Sequence, residues 1–380
     1  MSKDGEADDE MEKANDALAL AEEQGSFHST CKAYVHFYQR LLWTEELQLV
    51  SDLANFNLIG DKATKFVRYG NNLCLQVDGL AEKRPSILKG DKLDAKPIGS
   101  TDWYEGRVER VEREEVSLRF DNGLHNSYVP RQNVEIRFKL NRRPLRLLHQ
   151  GLENVGAELT RSVLFPSENA ETLQQPRTPA MALTNAPFNR RVRDNPEQWE
   201  AVSRIVEASH QPYPFLVFGP PGTGKTTTLV EAILQFVKSK PESKVLVCAP
   251  TNTAADELCK RLTQLNGSEM LRLMAYSRDI SEVEASVRPY THTDPGGHFV
   301  IPPFEVLREK RVVVATLSTA SGLFNHDVPG GHFDLVVVDE AGYAMEPEIV
   351  AVLAPLRIPQ VVVCVCKRGL NNLCKSVYGV

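Results

Sequence analysis

The chain has 380 residues, of which 25% are charged and 42% apolar or aromatic, and its formal net charge is −6. That is enough chain for two or three domains with a sizeable core, and no stretch approaches the roughly 18 consecutive apolar residues of a membrane span. Its seven cysteines are odd in number and scattered, which fits reduced thiols more than a disulfide framework, and we expect a soluble, intracellular protein with no structural metal.

Residues 1–30 form an acidic tail. Asp4, Glu6, Asp8, Asp9, Glu10, Glu12, Asp16, Glu22 and Glu23 stand against Lys3 and Lys13, so the rest of the chain is close to neutral. Such a block reads as a disordered, solvating extension, and it lacks the basic-then-apolar order of a secretory signal. In the helical or mixed segment assigned to 31–84, Tyr34, Phe37, Leu41, Leu49 and Leu53 recur at helical spacing, which predicts an amphipathic helix packed along that face. From 85 to 150 the period becomes two. Val116, Leu118 and Phe120 alternate with polar residues before the turn signal Asn122-Gly123, and Val134, Ile136, Phe138 and Leu140 alternate with Glu135, Arg137 and Lys139. Short strands of this kind predict a small antiparallel β-barrel. Arg142-Arg143-Pro144-Leu145-Arg146 follows, a basic run that is either solvated or a phosphate contact. A connector over 151–193, rich in Pro, Thr, Ala and Asn from Pro166 to Asn189, leads into the last large segment.

Residues 194–366 alternate strands and helices, the pattern of a doubly wound parallel sheet. The apolar run Phe215-Leu216-Val217-Phe218 opens into Gly219-Pro220-Pro221-Gly222-Thr223-Gly224-Lys225-Thr226, a complete G-x-x-x-x-G-K-T phosphate loop between a strand and a helix. Gly222 and Gly224 let the backbone wrap an anion, Lys225 is placed to reach β/γ oxygens, and Thr226 to hold Mg²⁺. The partner carboxylates are Asp339-Glu340, delivered by Leu335-Val336-Val337-Val338 to the carboxyl end of a buried strand, where open α/β sheets bind ligands. Asp339 is assigned to the metal and Glu340 to the attacking water. Two further buried strands, Lys244 to Ala249 and Val312 to Thr316, run into Pro250-Thr251-Asn252-Thr253 and Thr316-Leu317-Ser318-Thr319. These polar ends are either helix caps or contacts to a sugar-phosphate backbone.

These motifs together resemble the superfamily 1 RNA helicases, in particular the Armitage or Moloney-leukaemia-virus-ten-like branch. Asn195-Pro196-Glu197-Gln198 resembles the adenine-reading segment, Gly219 to Thr226 motif I, Ala249-Pro250-Thr251-Asn252 motif Ia and Asp339-Glu340-Ala341-Gly342 motif II. Ser277-Arg278-Asp279-Ile280, Glu346-Pro347-Glu348 and Phe218-Gly219-Pro220-Pro221 suggest the branch. The resemblance implies a RecA-like α/β lobe behind the barrel and the N-terminal helical segment, with ATP and Mg²⁺ as cofactors. It implies an ATP-binding set of Gln198, Gly219, Pro220, Pro221, Gly222, Thr223, Gly224, Lys225, Thr226 and Thr227, with Lys225, Asp339 and Glu340 catalytic and Thr226 and Asp339 on the metal. Pro250, Thr251, Asn252, Thr316, Ser318 and Thr319 would touch single-stranded RNA. The function implied is a 5′ to 3′ ATP-driven motor in RNA silencing or mRNA control. It would work in the cytoplasm or its ribonucleoprotein granules, with silencing or ribonucleoprotein proteins as partners.

The sequence departs from that pattern after motif II. Gln360-Val361-Val362-Val363-Cys364 begins the strand expected to end in Gly-Asp-x-x-Gln-Leu, but runs into Cys366-Lys367-Arg368-Gly369 and an aperiodic tail over 367–380. Motif III, a second lobe and its charge-stabilising arginine are therefore expected to be missing, and Tyr343 stands where glutamine or histidine is more usual. Two classes stay open: an RNA-stimulated ATPase, or a module that binds ATP and RNA without turnover. Cys364, Cys366 and Cys374 lack the spacing of a zinc site.

Overall fold

The computed structural model describes residues 31–69, 72–77, 79–82, 85–121, 123–124, 128–129, 131–155, 163–164, 186–211 and 213–366. The acidic tail 1–30, Asn122 of the turn signal, 156–162 and 165–185 of the connector, and 367–380 with Cys374 lie outside them. The chain divides into two units: residues 40–145 with 276–278, and the described residues before 40, over 146–275 and from 279 onward. Helix α1, Cys31–Ala54, contributes to both.

The first unit is an antiparallel barrel of β1 (Thr64–Lys65), β2 (Val67–Tyr69), β3 (Asn72–Gln76), β4 (Lys92–Pro97), β5 (Tyr104–Val111), β6 (Glu115–Phe120) and β7 (Asn133–Phe138). Its order is β1-β7-β4-β5-β6-β3-β2. The edge strands β1 and β2 are separated in sequence by Phe66 alone, so the sheet curls until its edges nearly meet. Strict alternation, as in β4 with Leu93, Ala95 and Pro97 buried, fills the interior, and charged residues cover the outside. There Lys139 meets Asp94 at 2.7 Å and Glu105 at 3.1 Å, and the Arg137 guanidinium lies 4.0 Å from the centre of the Trp103 ring. The strands start at 64, ahead of the boundary at 85 expected from sequence. β1 and β2 are two and three residues long, too short to display an alternation.

The second unit is the parallel sheet β10-β11-β9-β12-β13-β8, with every pairing parallel. Its strands are β8 (Phe215–Gly219), β9 (Val245–Ala249), β10 (Met270–Arg272), β11 (Val312–Thr316), β12 (Leu335–Val338) and β13 (Gln360–Cys366). Alternate residues of each central strand enter different cores. Val245, Val247, Val312, Val314, Leu335 and Val337 face one way, while Leu246, Cys248, Val313, Ala315, Val336 and Val338 face the other. Covering both faces makes these strands continuous apolar runs. The helices of this unit include α2 (Arg143–Glu153, from Arg146 on), α3 (Pro196–Glu207), α4 (Lys225–Ser239), α5 (Asn252–Arg261) and α6 (Glu346–Leu356).

Helix α1 keeps the face expected from sequence at Tyr34 and corrects it at Leu41 and Leu49. Leu41 and Leu49 are 47% and 38% exposed, while Ala33, Tyr34, Tyr38 and Leu42 are buried. The hydroxyls of Tyr34 and Tyr38 donate to the two carboxylate oxygens of Glu346, at 2.7 and 2.6 Å. With its polar tip partnered, Tyr38 can be buried where spacing alone favoured Leu41.

Helices α2 and α6 touch at Gly151. A Cβ there would overlap the Cα of Ala351, so the backbones approach too closely for any side chain. Gly151→Val is expected to lower stability by about 1–3 kcal/mol through forced separation of the helices. A thermal denaturation scan checks it; an unchanged Tm would remove the close crossing.

Candidate functional site

Strand β8 ends at Gly219, and the chain turns through Gly222 and Gly224, with φ of 81° and 84°, before α4 begins at Lys225. These left-handed values explain the two glycines. A Cβ on Gly224 would also lie 2.7 Å from Gln198 Nε2. Gln198 comes from the first turn of α3, whose N-cap Asn195 accepts the Glu197 and Gln198 N–H groups, and its side chain donates to the Thr223 carbonyl at 2.9 Å. The expected adenine reader and the phosphate loop are thus in direct contact.

Helix α4 has no side-chain cap, unlike α3 and α5, so its first N–H groups face the loop. Lys225 Nζ donates to the Gly219 and Pro220 carbonyls at 2.8 and 2.9 Å, and Thr223 Oγ1 to Pro220 O at 2.8 Å. An uncapped helix end and an ammonium held over the loop are the chemistry an oxyanion requires. Pro221 is exposed beside them, and Thr227 accepts from Arg261 Nη1 at 3.3 Å, so its hydroxyl turns toward α5.

Thr226 Oγ1 donates to Asp339 Oδ2 at 2.9 Å. This contact joins two motifs more than a hundred residues apart. Asp339 is 4% exposed at the end of β12, and its other oxygen accepts the Glu340 N–H at 2.9 Å. The hydroxyl and carboxylate are hard oxygen donors of the kind that suits Mg²⁺. Glu340 is exposed and sits at φ 53°, a strained value for a side chain with a Cβ. Burial and the neighbouring Asp339 carboxylate push its carboxyl above the usual range, partly offset by Lys225. Behind Asp339 stands Cys364 on β13, a thiol that sequence set aside. Burial, then the Asp339 charge and a hydrogen bond to it, push that thiol strongly upward.

The polar strand ends also meet. Ala249 of β9 pairs with Thr316 of β11, so Pro250-Thr251-Asn252 and Thr316-Ser318-Thr319 share one edge of the sheet. Thr251 caps α5 by accepting the Ala254 N–H, and Thr316 accepts that of Thr319 while its hydroxyl lies 2.9 Å from the Thr319 hydroxyl. Asn252 and Ser318 are exposed. Sequence missed what lies beneath: Arg272, fully buried, pairs with Asp256 and donates to Asn252. The available signal was an arginine inside the apolar run Met270-Leu271-Arg272-Leu273-Met274. In the basic run, Arg142 pairs with Glu46, and Arg143 and Arg146 are exposed.

A phosphate loop, a carboxylate at the tip of a parallel strand and a third polar strand edge define a P-loop nucleotide-handling lobe of RecA type. Residues 194–296 and 302–362 match the family described as AAA domain, and 60–138 match the helicase MOV-10 beta-barrel domain. A Gallus gallus protein named for helicase MOV-10 is 38% identical over 335 residues, covering 85% of this chain and 33% of its own length. Human RNA helicase Mov10l1 is 31% identical over 378 residues (83% and 30%), and the armi RNA helicase of Drosophila melanogaster 28% over 404 residues (96% and 33%). The chain belongs to the MOV-10-like, or Armitage, branch of the superfamily 1 helicases. It spans about a third of the length of these relatives.

Because the folded chain holds a proton on Glu340 more tightly than the unfolded chain does, ionising that carboxyl at neutral pH costs stability. Glu340→Gln is therefore expected to raise Tm at pH 7. The gain should shrink as pH falls and vanish below about pH 4, where the wild-type carboxyl is protonated in both states. Thermal unfolding of both proteins across that range checks the sign.

Proposed function

We propose that this chain is the ATP- and RNA-binding part of an ATP-driven RNA helicase that moves 5′ to 3′ along single-stranded RNA. The observation that carries the reading is the Thr226 to Asp339 hydrogen bond at 2.9 Å, which puts the hydroxyl of motif I and the carboxylate of motif II where one cation could take both. In this reading Lys225 leaves the Gly219 and Pro220 carbonyls to meet the terminal phosphates, and the N–H groups at the start of α4 hold their oxygens. Thr226 and Asp339 hold the metal, and Gln198 reads the base beside the loop. Bound Mg²⁺ supplies charge neutralisation on the β and γ oxygens. Glu340, exposed and with its carboxyl pushed above the usual carboxylate range, orients water and takes its proton.

RNA lies along the edge formed by Pro250, Thr251, Asn252, Thr316, Ser318 and Thr319, opposite the nucleotide chemistry only by the width of adjacent strands. Kinship with proteins named as RNA helicases, Mov10l1 and armi, supports the RNA helicase reading, which we extend to RNA silencing or mRNA control in the cytoplasm, among ribonucleoprotein partners.

Two measurements test this. Lys225→Ala is expected to lower affinity for a fluorescent ATP analogue at least about tenfold, the loss of one charge-assisted hydrogen bond set; unchanged affinity would remove the phosphate-loop assignment. ATP turnover by the purified chain is expected to rise with single-stranded RNA and to be abolished in Glu340→Gln. Nucleotide binding without any turnover would instead make this chain a binding module.

A further inference from the structure

Arg272 is the largest side chain completely buried in the described residues, and it is not in a phosphate or metal cluster. Its guanidinium donates to acceptors on two elements, its own strand end and α5. Nε donates to Asp256 Oδ1 at 2.9 Å, Nη1 to the Leu273 carbonyl, and Nη2 to Asn252 Oδ1 at 3.1 Å. Asp256 and Asn252 lie one turn apart on α5, so the carboxylate that holds the arginine belongs to the same helix as the amide the arginine holds.

The contact decides an orientation. An asparagine amide has one accepting and one donating end, while a guanidinium only donates. With Arg272 beneath it, the Asn252 amide has one arrangement free of a donor facing a donor: oxygen inward, NH₂ outward. Asn252 is exposed, so that NH₂ faces solvent at the sheet edge. Beside it, Thr251 Oγ1 accepts the Ala254 N–H at 3.2 Å, which leaves its own proton to donate. The edge thus offers donors side by side, matching an acceptor-only group such as a phosphodiester oxygen better than a base edge that presents both kinds.

We infer that Arg272 is a positioning residue for RNA binding, which locks the Asn252 amide so that its NH₂ meets a backbone phosphate of single-stranded RNA. The inference rests on the RNA reading given above and adds to it the residue that sets the donor and the chemical group that receives it. Arg272 touches no RNA itself. It acts through Asn252.

The test uses the full 380-residue chain and a short fluorescent oligouridylate, with affinity read by anisotropy beside Tm and affinity for an ATP analogue. Asn252→Asp keeps an oxygen facing Arg272 and removes the outward donor. It is expected to weaken RNA binding about tenfold with Tm and nucleotide affinity unchanged. Arg272→Lys offers a compact ammonium that cannot span both Asp256 and Asn252, and should weaken RNA binding several-fold. In the double variant Arg272→Lys/Asn252→Ala, binding should be no weaker than in Asn252→Ala alone, because the arginine acts only through the amide; a merely structural arginine would add its own loss. RNA affinity of Asn252→Asp equal to wild type, or additive losses in the double variant, overturns the inference while leaving the RNA reading in place. Failure of the wild-type chain to bind the oligouridylate overturns both. If Arg272→Lys does not fold, Asp256→Asn, which loosens the arginine by removing the carboxylate that holds it, takes its place: RNA affinity equal to wild type, or losses additive with Asn252→Ala, overturns the inference.

Discussion

The apolar run Leu335 to Val338 sets the position of the carboxylates in the candidate nucleotide site. A strand buried on both faces must be hydrophobic along its length, and the first residue that can be charged is the one at its carboxyl end. Asp339 occupies that place, 4% exposed, and is tolerable there because Thr226 and the Glu340 N–H both donate to it. Thr226 in turn is fixed by the register of β8 against β13, which aligns Gly219 with Cys366. The phosphate loop and Asp339 therefore meet as a result of sheet register, and the contact needs no flexible segment to bring it about.

That dependence explains what sequence could and could not show. The phosphate loop was legible because its requirements are backbone rules: positive φ at Gly222 and Gly224, then a helix without a cap. Asp339 was legible for the same reason, as a charge at the end of an apolar run. The barrel's interior was legible from alternation in β6 and β7, whereas β1 and β2 are too short to carry a period, so the domain opens earlier than spacing suggests. Helix α1 misled because hydrophobicity ranks Leu41 above Tyr38. The decisive fact was a carboxylate three hundred residues away in sequence that could satisfy two phenols.

The polar strand ends show the same limit on a smaller scale. Spacing could not tell a helix cap from a nucleic-acid contact, and in Thr251 the structure shows that the first role does not exhaust the residue. Its oxygen is used by the helix and its proton is not. Whether such an edge can bind anything depends on which ends of its polar groups are already taken, and that is decided from below, by a buried arginine on β10, a strand of three residues.

In the segment after Glu340, Ala341 and Gly342 are buried while Tyr343 and Met345 are exposed. At one end Asp339 is held by Thr226 and the Glu340 N–H; at the other, Glu346 receives Tyr34 and Tyr38. Burial and the Glu346 charge push both phenols far above their ordinary range, so they remain donors at any pH the folded chain meets. Between these fixed ends, Tyr343 and Met345 are 68% and 47% exposed, on a single short turn. A change in charge at Glu340 cannot move Asp339 or Glu346 without breaking several hydrogen bonds at once. It is cheaper to move the exposed side chains of the turn between them, Tyr343 and Met345, than either fixed end.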